Sequence, residues 1–288
     1  MSNTIDWGQG AVNNTIDWGK GKTNNTINWA EIYDSTPAGE TNITGSGGVT
    51  PFTNTYSMAF DGVDESFTIA DNDNLSFGNG VTDSPFSISA WVKMTDATRF
   101  RIVNKYDSNL EYLFSTGGTD RIVFNCYDNS ASARIGRQYS TALTSFEGQW
   151  IHLVATYNGS SSSSGLKIYL NGSRVDDTDS NSGTYTAMEN TTAPLEIGKN
   201  LTTYASGLID ETAIFNTELS ASDVSDIFNN GVPTDISSLS PISHWRMGEN
   251  ATWDGANWTL TGQGSGGNDA TSSTLPFESK TGDQPYVL

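Results

Sequence analysis

Two adjacent carboxylates, Asp210 and Glu211, stand in the strand-like stretch GLIDET. A pair of carboxyl groups about 5 Å apart can hydrolyse a glycosidic bond with retention of configuration. Successive side chains of a β-strand, however, point to opposite faces of the sheet. Asp210 and Glu211 are therefore expected to point away from each other, and the pair predicts no catalytic dyad.

Other catalytic schemes find too few residues. The chain has two histidines, His152 and His244, and one cysteine, Cys126. His152 lies in WIHLVATY and Cys126 in IVFNCY, which alternate as strands do, so both side chains are expected to be structural. Neither G-x-S-x-G nor H-E-x-x-H occurs in the sequence. We therefore expect a protein without enzymatic activity.

Most segments around these residues are predicted to be β-strands. In FSISAWVKM every second residue is apolar and would face one side of a sheet: Phe86, Ile88, Ala90 and Val92. LKIYLNGSRV is typical of a hairpin, because Asn171-Gly172 suits a type I′ turn.

One stretch, ELSASDVSDIFNNG, is typical of a short helix. Ser220 is placed as its N-cap, Asp223 would complete a capping box, and Gly231 would end it. Many strands with one short helix predict an all-β protein, an antiparallel sandwich or jelly roll.

The composition restricts the partners. Fourteen basic residues against 33 acidic ones give a net charge of −19. Such a surface repels nucleic-acid phosphates and anionic lipids, so neither is an expected partner. No apolar run approaches 18 residues and the N-terminus has no signal-peptide pattern, so we expect neither membrane insertion nor secretion by a signal peptide.

Four motifs together resemble the laminin-G-like, concanavalin A-like jelly rolls, in the branch shared with the pentraxins. They are YSMAFDGVDESFTIAD, FSISAWVKM, EGQWIHLVATYNGSSSSSGLKIYLNGSRV and GLIDETAIFNTELSASDVSDIFNNG. The resemblance implies a two-sheet antiparallel jelly-roll sandwich over residues 55–231, with a concave face commonly used for ligands. Retaining glucanases share this architecture, but Leu208 stands where their E-x-D-x-E-like pattern has its first glutamate.

The resemblance also implies a calcium site at a loop edge. Asp61 and Asp64 in FDGVDES match the family's acidic turn, and Asp210 matches its later aspartate. Carboxylate and carbonyl oxygens suit a hard cation such as Ca²⁺. Glu65 stands where the family often has a further aspartate. The alternative is structural: Asp61 would cap a tight turn and Asp210 would accept backbone N–H bonds.

Glycan binding is suggested by aromatic side chains near predicted loops. Aromatic faces stack on sugar rings, and Asn and Asp side chains bond to sugar hydroxyls. The tyrosines in such positions are Tyr106, Tyr112, Tyr127, Tyr139, Tyr185 and Tyr204. The alternative is that they cover the core, as tyrosines in sandwiches usually do.

Residues 1–34 contain three copies of one short sequence motif, NTIDWG, NTIDWG and NTINWA, at a spacing of 11 residues. In an extended segment the Ile and Trp side chains of each motif share one face. These pairs are Ile5 and Trp7, Ile16 and Trp18, and Ile27 and Trp29. A single motif is too small to bury its own Ile and Trp side chains. We therefore expect the arm to dock on another protein by strand addition or to assemble with other copies. Three equivalent contacts would give strong attachment even if each is weak.

The remaining segments complete the predicted organisation. Residues 35–54 are predicted to be a linker, and residues 232–288 a C-terminal extension that is loosely structured or packs on the jelly roll or a neighbour. The repeats together with HWRMGENATWDG resemble structural proteins of tailed phages, especially marine ones.

This second resemblance implies a virion surface protein made in the host cytoplasm. Residues 1–34 would bind other virion proteins of the capsid or tail, and the chain would form a homo-oligomer. Three functions stay open: a tail or fibre adhesin for host-surface glycan, a capsid decoration protein, and, third, a carbohydrate-active enzyme.

Overall fold

The alternating segments of the chain pair into two large antiparallel sheets. The structure is a computed structural model and describes residues 52–287. The predicted repeat arm with its Ile and Trp pairs, and the linker up to residue 51, lie outside the described residues.

The first sheet has eight strands. They are β1 (Ser57–Asp61), β3 (Phe86–Met94), β8 (Trp150–Tyr157), β9 (Leu166–Leu170), β10 (Ser173–Arg174), β15 (Ser206–Phe215), β16 (Ser243–Trp245) and β20 (Lys280–Thr281). Their order is β10-β9-β8-β3-β15-β1-β20, and β16 pairs with β15.

The second sheet has ten strands. They are β2 (Phe67–Ile69), β4 (Arg101–Tyr106), β5 (Leu110–Thr116), β6 (Ile122–Asp128), β7 (Ala133–Gln138), β11 (Thr178–Asp179), β12 (Leu195–Ile197), β17 (Ala251–Trp253), β18 (Trp258–Leu260) and β19 (Ala270–Ser272). Their order is β11-β7-β6-β5-β4-β12-β2-β19-β18-β17. A separate hairpin consists of β13 (Lys199–Asn200) and β14 (Thr203–Tyr204).

The main core lies between the two sheets and takes one face of each strand. From β3 it takes the predicted residues Phe86, Ile88, Ala90 and Val92, all fully buried. Phe86 stacks on Phe77 with ring centroids 4.2 Å apart. Burying a side chain of this size contributes about 1.5–3 kcal/mol, so this interior is the main source of stability. The predicted all-β sandwich is confirmed.

A single α-helix, α1 (Ala221–Phe228), covers the outer face of the first sheet within the described part of the chain. Val224 and Ile227 of the helix pack with Phe215 in a second, smaller core. The predicted capping box is present, since Ser220 Oγ accepts from the Asp223 N–H and the Asp223 carboxylate accepts from the Ser220 N–H. Asn171 and Gly172 join β9 to β10 with φ values of 49° and 77°, as a type I′ turn requires.

Short 3₁₀ turns connect several elements. They are Asp73–Leu75, Leu143–Phe146, Ser163–Gly165, Asn229–Gly231, Ser237–Leu239 and Phe277–Ser279.

The described part of residues 232–288 packs on the jelly roll. It supplies β16 and β20 to the first sheet and β17, β18 and β19 to the second. Trp245 is fully buried, and its indole N–H donates to the Asn268 carbonyl at 2.7 Å. Near the chain end, the Asp283 carboxylate accepts from the Trp150 indole at 2.8 Å. The C-terminal strands therefore build part of both sheets.

Candidate functional site

A row of three threonines crosses the outer face of the second sheet. Thr68 in β2 pairs with Thr271 in β19, which pairs with Thr259 in β18. Phe67 and Ile69 point into the core, so Thr68 between them must point outward. Residues directly opposite on neighbouring strands share a face, and neighbouring strands lie about 4.8 Å apart. The three hydroxyls therefore form a floor about 10 Å wide.

Two turns wall this floor and make a groove of about 610 Å³. We call it the threonine groove. Its lining is Asp64, Ser66, Thr68, Lys199, Tyr204, Asp254, Asn257, Thr259, Thr271, Ser272, Ser273 and Thr274. Seven of these residues carry a hydroxyl on a short side chain, and Tyr204 is the single aromatic residue.

The β13–β14 hairpin forms one wall and carries Lys199 and Tyr204. Gly198 starts it with a φ of 83°, and a Cβ there would lie 2.5 Å from the Phe60 ring. Only glycine meets both demands. Asn104 fixes the hairpin, because its Nδ2 donates to the Lys199 carbonyl at 2.8 Å.

The β17–β18 turn forms the opposite wall and carries Asp254 and Asn257. Asp254 Oδ1 accepts from the N–H of Asn257 at 2.7 Å and of Ala256 at 2.8 Å. These donors, Asn257 first, lower the pKa of Asp254 below its ordinary value. Asp254 is exposed and ionised at neutral pH, and it gives the groove an acceptor of fixed orientation.

The groove lining, as far as the described residues form it, contains one cation, and that cation is paired. Lys199 Nζ lies 3.4 Å from Glu196 Oε1, and Thr68 Oγ1 donates to Glu196 Oε2 at 3.0 Å. Burial raises the pKa of Glu196 and the Lys199 charge opposes that rise. Glu196 lies opposite Thr68 in the neighbouring strand β12, so Lys199 offsets the Glu196 charge at the edge of the floor.

The predicted calcium ligands are divided between two places. Asp61 caps its own turn, since its Oδ1 accepts from the Val63 N–H at 2.7 Å, and Asp64 lines the threonine groove. In the β1–β15 pairing Asp61 lies opposite Ser206, four residues before Asp210. At about 3.4 Å per residue this is roughly 14 Å, too far for a common ion. The three carboxylates do not fit one calcium site, and binding at Asp61 and Asp64 alone stays a prediction.

Asp210 instead joins a second carboxylate cluster. Asp210, Glu211 and Glu249 have oxygen atoms within 4.8 Å of one another. The expectation that Asp210 and Glu211 point to opposite faces is wrong. The β15–β3 register shifts after Asp210, and Glu211 has a φ of 44°, so a β-bulge breaks the alternation.

Internal hydrogen bonds hold this cluster closed. Glu211 contacts His244 Nε2 and Arg246 Nε, the latter at 3.0 Å. Asn54 Nδ2 donates to Asp210 Oδ2 at 2.8 Å, and the Tyr56 N–H donates to Glu249 Oε1 at 3.0 Å. Residues 54–56 therefore form a strap over the carboxylates. Asp210 is fully buried, and burial, followed by the Glu211 charge, raises its pKa well above the ordinary value.

His152 and Ser89 form the other pairing that resembles catalytic machinery. His152 Nε2 lies 2.8 Å from Ser89 Oγ, but both side chains are buried beneath Trp91 and Phe228. Burial lowers the pKa of His152 to about 3, so the ring is neutral. This position agrees with the structural role that the sequence predicts.

The six predicted tyrosines have different environments. Tyr204 lines the threonine groove. Tyr106 and Tyr127 are half-buried and pack edge to face at 5.2 Å. Tyr112 is fully buried, which agrees with the alternative of covering the core. The remaining two are partly buried against the core, Tyr139 and Tyr185.

The threonine row was missed by sequence reasoning. Its only local signal is a polar residue between two others that are buried, in FTI, WTL and ATS. The triplets lie far apart in the chain, with Thr68 and Thr271 separated by 203 residues. The pairing register that brings them together is not readable from the triplets themselves.

A family model described as the concanavalin A-like lectin/glucanases superfamily, of laminin-G type, matches residues 61–225. This match includes more than half of the chain. The chain belongs to this superfamily. The β3, β8 and β9 strands lie within the matched residues, and the match ends inside the helix α1.

Three solved structures are similar to this chain. A protein from Bacteroides ovatus named as a candidate carbohydrate binding protein is 14% identical with a TM-score of 0.56, and the alignment covers 82% of this chain and 62% of that one. Domain 4 of a GH43 extracellular arabinanase from Geobacillus stearothermophilus, in complex with arabinotriose, is 20% identical with a TM-score of 0.44, covering 59% of this chain and 75% of the domain. A heptameric SAP-like pentraxin from Limulus polyphemus is 15% identical with a TM-score of 0.37, covering 61% and 82%.

At 14% identity the Bacteroides ovatus structure, with its TM-score of 0.56, shows the fold alone. This chain spans 62% of the length of the Bacteroides ovatus protein. No curated protein matches the chain. Within residues 52–287, no helix has both the length and the apolar character needed to cross a membrane.

Proposed function

We propose that this protein binds glycan and that the threonine groove is the binding site. The observation that carries the proposal is the groove's lining, which combines hydroxyl, amide and carboxylate groups with one tyrosine ring. Sugar hydroxyls both donate and accept hydrogen bonds, and serine and threonine hydroxyls do the same. Pockets for drug-like ligands are mostly apolar, so this polar lining suits a hydrophilic ligand.

The groove also has the size and rigidity that a sugar site needs. Its volume of about 610 Å³ lies within the range of ordinary ligand sites, about 300–1,000 Å³. The floor belongs to three paired strands, and both walls are fixed by hydrogen bonds to Asn104 and within the Asp254 turn. Such a site loses little conformational entropy when it binds.

Substitutions in the groove should weaken glycan binding. Thr259→Val keeps the shape of the side chain but removes a hydroxyl, and Tyr204→Ala removes the stacking ring. Because one hydrogen bond contributes about 0.5–1.5 kcal/mol, we expect about two- to tenfold weaker binding for each variant. The full-length protein would first be screened on a glycan array, and the affinity for the best glycan then measured by calorimetry.

Matched controls lie away from the groove. Tyr286→Ala changes a tyrosine that is 58% exposed on the C-terminal tail, and Thr184→Val changes an exposed threonine. Both should bind as the wild type does. Unchanged affinity in both groove variants would place the glycan elsewhere, and binding to no glycan would refute the function itself.

We further propose that the protein acts on the surface of a phage virion, as a non-enzymatic tail or fibre adhesin. The support is the sequence resemblance to tailed-phage structural proteins and the three motifs of residues 1–34 that each carry an Ile and a Trp. The closed state of Asp210 and Glu211 supports a non-enzymatic role, because the strap and internal hydrogen bonds occupy both carboxylates. A capsid decoration protein is the alternative location, and a carbohydrate-active enzyme ranks third.

Removal of residues 1–34 should abolish incorporation into the particle while leaving the jelly roll folded. The reason is that the residues proposed to contact capsid or tail proteins all lie in the three repeat motifs. Incorporation would be measured by quantifying the protein in purified particles, with circular dichroism of the truncated chain as the folding control. Normal incorporation of the folded, truncated chain would refute the anchor. A loss of capsid stability in particles without the protein would favour decoration.

A further inference from the structure

We infer that the threonine groove selects uncharged glycans and excludes anionic ones such as uronates, sulfated sugars and sialylated chains. The inference rests on the proposed function and adds the chemical class of the ligand. It follows from the balance of charge along the groove.

Two carboxylates from different turns line the groove, Asp64 between β1 and β2 and Asp254 between β17 and β18. Asp64 is exposed and Asp254 is exposed, and neither forms an ion pair in the described part of the chain. Asp254 uses Oδ1 for its own turn and keeps Oδ2 directed only to the Asn257 side chain at 3.2 Å. Both groups can accept sugar hydroxyls, and both repel a negatively charged substituent.

Among residues 52–287, the groove lining offers no free cation to offset this repulsion. Lys199 is the one basic residue of the lining, and Glu196 already lies 3.4 Å from its Nζ. Recognition of carboxylate and sulfate groups normally uses arginine forks or unpaired lysines. With Asp64, Asp254 and Glu196 against Lys199, the local charge is negative, in a chain whose net charge is −19.

The size of the effect is set by distance and solvent. Two like charges about 4 Å apart repel with an energy equivalent to roughly fivefold in affinity in water, and more at a partly desolvated surface. Two such carboxylates should therefore weaken binding of an anionic sugar by at least about tenfold. Salt screens exposed charges, with a Debye length of about 8 Å at 0.15 M, so the discrimination should shrink as salt rises.

Neutral sugars meet no such penalty. Their hydroxyls can donate to Asp64 and Asp254 and can exchange hydrogen bonds with the threonine row. The carboxylates thus act as acceptors for one class of ligand and as a barrier to the other. This combination of attraction and repulsion is how a shallow polar site gains specificity.

The test compares matched pairs of glycans that differ only in charge. Suitable probes are lactose with sialyllactose, xylohexaose with its glucuronate-substituted form, and methyl-esterified with de-esterified oligogalacturonide. Binding of the full-length protein would be measured at 0.05 M and 0.5 M salt, for the wild type, Asp64→Asn, Asp254→Asn and the double variant. Asparagine retains an acceptor oxygen and tolerates the same turn, so Asp254→Asn should keep the wall intact.

The wild type should prefer the neutral member of a bound pair by about tenfold or more at low salt. The double variant should reduce this ratio to about threefold or less, chiefly by gaining affinity for the anionic member. Asp226→Asn, an exposed substitution on α1, should leave the ratio unchanged. Equal or tighter binding of the anionic member by the wild type, or the same ratio in the double variant, would overturn the selectivity. If neither member of any pair binds, the proposed glycan binding is overturned as well. A failure of selectivity alone would instead show binding without a preference for the neutral member.

Discussion

Lys105→Met should lower the free energy of unfolding by about 3–5 kcal/mol, because it leaves a buried carboxylate without its counter-charge. Lys105 is fully buried, and its Nζ lies 2.9 Å from Glu111 Oε1, 2.7 Å from Asp71 Oδ1 and 2.8 Å from the Ala193 carbonyl. Glu111 is also fully buried. Burial raises the pKa of Glu111, and Lys105 is the first group that opposes the rise. Urea denaturation at pH 7 would measure the loss.

The controls separate charge from packing. Lys105→Met combined with Glu111→Gln removes both charges, so the double variant should be more stable than Lys105→Met alone. Lys167→Met breaks an ion pair with Glu218 in which both side chains are more than a quarter exposed, and it should cost at most about 1 kcal/mol. A loss of less than 1 kcal/mol for Lys105→Met would mean that Glu111 finds another partner or stays protonated.

This buried pair also positions the groove. Glu111 Oε1 accepts from the Thr191 N–H at 2.9 Å, and Lys105 Nζ donates to the Ala193 carbonyl, so both partners fix the segment before β12. That strand presents Glu196 to Lys199 and Thr68. The interior ion pair and the groove lining are therefore linked through one short stretch of backbone.

The elements that the sequence predicts correctly depend on local signals. The alternation in β3, the Asn171-Gly172 turn and the Ser220 capping box each lie within a few residues, and the structure confirms all three. Short-range patterns of this kind fix secondary structure because the backbone satisfies them without distant partners. The jelly roll itself was predictable through four such motifs in the family's order.

The candidate site depends on relations that no local pattern contains. The threonine row needs β2, β18 and β19 to pair in one register, although β2 lies at the start of the fold and the other two near its end. The polar composition around WTL and ATS resembles a loop, so the sequence predicts for residues 232–288 only an extension that is loosely structured or packs on the jelly roll or a neighbour. Buried Trp258 and Leu260 anchor β18, which pairs with β17 on one side and β19 on the other.

The prediction that Asp210 and Glu211 point to opposite faces was wrong for a different reason, the β-bulge at Glu211. A β-bulge is usually marked by glycine or asparagine at the position with positive φ, and here the residue is glutamate. The conformation is held by tertiary contacts, because Glu211 bonds to both His244 and Arg246 from β16 and the turn after it. Side chains of a regular strand alternate between two faces, but the bulge interrupts this alternation between Asp210 and Glu211 and brings their carboxylates together.

Asp210→Asn should stabilise the protein at neutral pH and remove an unusual pH dependence. The folded state raises the pKa of Asp210 through burial, so Asp210 holds its proton after the unfolded chain, with an ordinary value near 3.8, has lost it. The stability associated with this group is thus fully present below about pH 4 and falls as the pH rises toward the folded pKa. In that window the slope is about 1.4 kcal/mol per pH unit. Asparagine cannot ionise, and it retains one of the two oxygen acceptors that bond to the Asn54 side chain and the Glu211 N–H.

The quantity to measure is the difference in unfolding free energy between Asp210→Asn and the wild type, from pH 4 to pH 8. The difference should grow in favour of the variant with rising pH and level off above the folded pKa of Asp210. Asp226→Asn on the exposed face of α1 supplies the matched control, whose difference from the wild type should stay constant. A flat difference for Asp210→Asn would mean that Asp210 is ionised in the folded protein. Arg246, whose Nε lies 3.0 Å from Glu211 Oε1, would then offset the charge of the carboxylate cluster beneath the strap.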